Sequence, residues 1–79
     1  MKKTYYIIQL EESIYLKYVG GYHVNSILSL EKAKFYLTLR SAIKARDKVL
    51  AIEKARPWLY QHPGIKILKV DIEVKEIDA

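Results

Sequence analysis

The residues whose types could do nucleophilic chemistry are Ser13, Ser26, Ser29 and Ser41, with His23 and His62 as the imidazoles that could serve them. Such chemistry needs a hydroxyl with a base in hydrogen-bond reach. No serine sits in a strained-turn or elbow motif, and the chain has no cysteine to act as a thiolate. Paired carboxylates for acid and base work would have to come from Glu11 and Glu12. These are adjacent, so on a strand they point to opposite faces, and they read as a polar hairpin turn. Two isolated histidines among scattered acids have no metal-ligand spacing. Gly20-Gly21 lacks both the longer glycine fingerprint and the Lys-Ser/Thr of a phosphate-cradling loop, which leaves it as a turn or bulge. The expectation is therefore a protein without catalytic residues, cofactor, metal or small-molecule substrate.

Binding is a different matter. From residue 38 to residue 56 lie Arg40, Lys44, Arg46, Lys48, Lys54 and Arg56 against Asp47 and Glu53, so four of the net five positive charges fall on one segment. Arg40, Lys44 and Lys48 follow an i, i+4, i+8 spacing, which stacks them on one side of a helix. A phosphate backbone would offset their mutual repulsion, and the bland alternative is a solvated helix face. No helix-turn-helix precedes the row, and no Asn or Gln sits on it to read bases. The second candidate is a tyrosine-bearing face of a sheet, built from Tyr5, Ile7, Tyr15 and Val19. Tyrosine offers large contact area at low entropy cost, although cross-strand pairing alone would also account for these residues.

The elements that must position these groups follow from periodicity. TYYIIQL (4–10) and IYLKYV (14–19) are β-branched and aromatic runs joined by the short polar link EES, a hairpin signature. Alternation puts Tyr6, Ile8 and Leu10 with Ile14, Leu16 and Tyr18 on the core side. It leaves Tyr5, Ile7 and Gln9 with Tyr15, Lys17 and Val19 on the reverse. Residues 22–31 read as a loop or one short helical turn. AKFYL (33–37) reads as a third short strand, with an extra turn of helix as the alternative. Thr38 stands where an N-cap belongs. Beyond it Leu39, Ala42, Ile43, Ala45, Val49, Leu50 and Ile52 share one arc at 100° per residue, the pattern of an amphipathic helix that ends near Arg56 because Pro57 cannot continue it. In IKILKVDIEVKEI, Leu68, Val70, Ile72 and Val74 alternate with Lys69, Asp71, Glu73 and Lys75, so the first set, Val70 included, is expected to face the helix. Trp58 and Tyr60 occupy the proline-bounded loop between helix and strand. There they either anchor a partner or fold back over the core edge, as a small core favours, and Trp58 is retained as a partner-contact candidate.

The run from Ala33 and Lys34 through Tyr36 and Thr38 to Ala42 has the form A-K-x-F/Y, then Ser/Thr, then x-x-A, joining a strand to a helix. In this it is similar to small uncharacterised proteins encoded by phages and prophages of Gram-positive bacteria. The resemblance implies a cytoplasmic accessory protein in an infected or lysogenic host, acting by occlusion, and it supplies no catalytic residues.

Seventy-nine residues, 51% of them hydrophobic and 29% charged, make a single folded domain (1–79) with a thin margin of stability. The absence of cysteine, together with an opening, MKKTYYIIQLEE, too short and polar for a signal peptide or a span, points to the cytoplasm and away from the membrane. The expected fold is α+β, an antiparallel sheet of three to four strands (hairpin, short strand, helix, strand) with one main amphipathic helix on one face. The expected function is non-enzymatic interaction with a protein partner or a second copy through Tyr5, Ile7, Tyr15, Val19 and Trp58. The alternative is nucleic-acid binding through Arg40, Lys44 and Lys48.

Overall fold

The computed structural model describes residues 1–59 and 61–77; Tyr60 of the proline-bounded loop lies outside them. It shows an α+β fold, with strands β1 (Lys2–Glu11), β2 (Ile14–Gly20), β3 (His23–Ile27) and β4 (Lys66–Glu73) and one long helix, α1 (Leu39–Ala55). The strands form one antiparallel sheet in the order β3-β2-β1-β4. Among the described residues no helix is long and apolar enough to cross a membrane.

β1 and β2 meet through the two-residue link Glu12-Ser13, with Ser13 at a positive φ of 63° and a register irregularity between Gln9 and Glu11. This combination is a turn followed by a left-handed residue and a bulge. β2 and β3 are joined across Gly21 and Tyr22, and Gly21 takes the positive φ, 57°, that its lack of a side chain permits. β3 lies where a loop or helical turn was expected. HVNSI buries Val24 against the core, enough to hold a five-residue edge strand.

Residues 33–37 do not form a full strand. They fill the wedge where β2 diverges from β1: Lys34 N donates to Leu16 O at 3.0 Å on the β2 side, and Tyr6 and Tyr36 exchange backbone hydrogen bonds of 2.8 and 2.7 Å on the β1 side. The AKFYL segment thus satisfies edge groups that the splayed hairpin would otherwise leave open.

α1 begins where the cap residue predicts. Thr38 is extended, and its hydroxyl accepts from Ser41 N at 3.1 Å; Arg56 N–H closes the other end on Ile52 O. Ala42, Ala45, Val49 and Ile52 are its buried stripe, while Leu39 and Leu50 are exposed, so the apolar arc in contact with the sheet is narrower than its composition implies. The main core joins Ala45, Val49 and Ile52 to Ile8, Leu10, Leu16 and Val24, flanked by Ile14, Val19, Tyr36, Ile65 and Ile67.

Two face assignments are corrected. Lys17 is an extra residue in β2, since the register with β3 shifts between Leu16 and Tyr18. One inserted residue reverses the alternation after it. Val19 therefore pairs with Val24 on the helix side, and Tyr18, expected inside, is 56% exposed. In β4 it is Ile67, opposite Ile8, that faces the helix; Leu68 and Val70 lie opposite Ile7 and Tyr5 on the reverse face.

Candidate functional site

On the reverse face, Tyr5 and Tyr15 are half-buried and Ile7 is 0% exposed, so Ile7 has no surface to offer a partner. The chain supplies cover of its own. Phe35, on the opposite side of its segment from Tyr36, sets its ring 5.5 Å from that of Tyr5, and Leu68 stands across from Ile7. Val19 is not on this face at all. Of the five residues read as partner contacts, Trp58 alone is widely exposed, at 75%, with Leu59 exposed beside it, so these two side chains have not folded back over the core.

The helix face gains where the sheet face loses. Lys44 and Lys48, one turn apart on α1, line a cleft of about 450 Å³ whose other walls carry Lys17 and Lys34. Lys17 is there because it is the bulged residue of β2, and Lys34 because its segment is wedged beside β2. Tyr18, Val19, Tyr36, Ser41 and Ala45 complete the lining, with no acidic residue among them. Among the described residues none of the four lysines has an acidic partner. The nearby Asp47 is engaged by Arg46 at 3.2 Å. Arg40 belongs to the sequence row but not to the cleft.

Like charges converging on a concave surface repel one another and focus a positive potential into it. Tyr36 is a further polar residue of the lining. Burial pushes the Tyr36 phenol above its usual 10.0, so it stays protonated at neutral pH, and Lys34 Nζ lies 6.0 Å from its ring centroid. Lysines are point-charge donors without the fork geometry of arginine, which suits phosphate contact more than base reading. Lys17 and Lys34 were not legible as members of this site. One looks like an outward residue of a strand and the other like a link residue, and only the bulge and the wedge bring them to the helix.

His62 forms a separate cluster. Its Nδ1 lies 2.5 Å from Glu53 Oε1 on α1, and its Nε2 lies 3.7 Å from Glu11 Oε1 at the end of β1. Nδ1 is hydrogen-bonded to one carboxylate and Nε2 lies near a second, and the arrangement reads as a clamp holding His62 against helix and hairpin. Among the described residues no group of three or more His, Cys, Asp or Glu could hold a metal ion. No family model, curated protein or solved structure matches this chain.

Proposed function

We propose that this is a non-enzymatic binding protein that holds the phosphate backbone of a nucleic acid in the cleft between α1 and β2. The observation that carries this reading is the convergence of Lys17, Lys34, Lys44 and Lys48, from three separate parts of the fold, on one concavity without an acid in its lining. Counterion release on phosphate contact supplies the affinity, and a lining whose charged groups are all lysines favours the backbone over base edges. A cysteine-free chain fits the reducing cytoplasm, where such ligands occur, and the accessory role implied by the phage resemblance is compatible with it.

The test is fluorescence anisotropy with labelled oligonucleotides of unrelated sequence at low salt. Binding by the native chain is expected, with a loss of at least about tenfold when Lys17→Glu is combined with Lys34→Glu. Circular dichroism would verify the fold. Undiminished binding by that variant, neither residue of which is on the helix, would reject the cleft.

A second reading is supported by the adjacent exposed pair Trp58 and Leu59, a shape suited to anchoring a protein partner. Retention of a host protein by the native chain, lost on Trp58→Ala with oligonucleotide binding intact, would separate the two.

A further inference from the structure

We infer that the free edge of β4 pairs with the same edge of a second copy, joining two sheets into one across a two-fold axis. β4 is an outer strand of eight residues, in unbroken register with β1 and without proline or bulge. Edges of this kind template further pairing unless they are blocked. The direction of its free groups is settled by its neighbour. Met1 and Val74 exchange backbone hydrogen bonds (Met1 N to Val74 O, 3.0 Å; Val74 N to Met1 O, 2.7 Å), while Tyr6 spends its own backbone groups on Tyr36. By alternation, Leu68, Val70 and Ile72 bond inward to β1, and Ile67, Lys69, Asp71 and Glu73 point their N–H and C=O groups outward.

Charge selects the register. With Val70 on the two-fold axis opposite itself, Lys69 falls opposite Asp71 of the second copy and Leu68 opposite Ile72. A shift by one pair in either direction sets Lys69 against Lys69 or Asp71 against Asp71 on the axis, which is unfavourable. The same register continues the apolar side formed by Leu68, Val70 and the exposed Ile72 across the junction. The need is visible at the far end. Past the Tyr6–Tyr36 bridge, Lys2–Tyr5 has, among the described residues, only β4 as a paired neighbour, and a two-stranded ribbon is marginal alone. An axis perpendicular to the sheet keeps both helices, and both lysine clefts, on the same side.

A strand-to-strand contact is small, so the dimer should be weak, with dissociation in roughly the micromolar range. Analytical ultracentrifugation should show dimer at about 100 µM protein. Lys69→Glu alone and Asp71→Lys alone should each raise the dissociation constant by about tenfold or more, and the two together should restore it. Because the chain has no cysteine, Val70→Cys gives a clean probe. Across the axis these side chains form a close non-hydrogen-bonded pair, and mild oxidation should yield a covalent dimer that Asn25→Cys, on the opposite edge strand, does not. A native chain monomeric at about 1 mM, a charge swap that fails to restore dimer, or cross-linking through Asn25→Cys but not Val70→Cys would overturn the inference. Oligonucleotide binding measured in the same samples keeps this outcome separate from the fate of the cleft.

Discussion

Val19 stands opposite Val24 on the helix side of the sheet, although strict alternation from Leu16 would turn it outward. The bulge at Lys17 produces this pairing and at the same stroke turns Tyr18 out. Val19→Ala should therefore lower stability by about 1 kcal/mol, and Tyr18→Ala should stay within about 0.5 kcal/mol of the native chain. Urea unfolding midpoints measure both. The opposite ranking would mean that the bulge is absent.

The cleft predicts a particular salt dependence. If its four lysines each neutralise one phosphate of a single strand, log K should fall against log salt with a slope of about −3, since each contact contributes about −0.7. Lys44→Gln should reduce that slope by about one contact, whereas Lys54→Gln, a basic residue of the same helix outside the cleft, should leave it unchanged.

Tyr36 predicts the alkaline limit. Its phenol is raised above 10.0 by burial, so the folded chain holds this proton to higher pH than the unfolded chain does. The stabilisation is complete below pH 10 and is lost as pH rises through the folded-state value. Absorbance titration at alkaline pH should show a displaced tyrosinate step that disappears in Tyr36→Phe, and the variant's melting temperature should fall less steeply above pH 10.

Ser13 carries a φ of 63° in the turn between β1 and β2. A residue with a Cβ there costs about 1 kcal/mol relative to glycine. Ser13→Gly should raise stability by up to about that amount, less the added flexibility of the unfolded chain. Gly21→Ala, at a φ of 57°, should do the reverse. Thermal unfolding of the pair reads both signs.

Much of this fold was legible. The hairpin, the Thr38 cap, the end of the helix at Arg56 and the last strand follow from signals confined to a few neighbouring residues, namely β-branched runs, a capping hydroxyl, a proline and strict alternation. β3 was not, because HVNSI carries only two strong apolar side chains and forms a strand by pairing with β2. Nor was the facing of β4. Alternation separates two sets of residues, but nothing in the strand says which set meets the helix, and the more apolar set went to the reverse side with Tyr5 and Ile7. The helix row was visible as Arg40, Lys44 and Lys48, yet the cleft takes only the last two.

From the sequence alone came an α+β fold with one capped amphipathic helix and a concentration of positive charge on that helix. These are properties of composition and local periodicity, set by backbone preference and by which side chains water will accept. Tertiary structure decided which surface is free. A single inserted residue at Lys17 reversed the facing of a strand, and a wedged segment carried Lys34 beside Lys44. Long-range hydrogen bonding sets such registers, and it brings together charges that lie far apart along the chain.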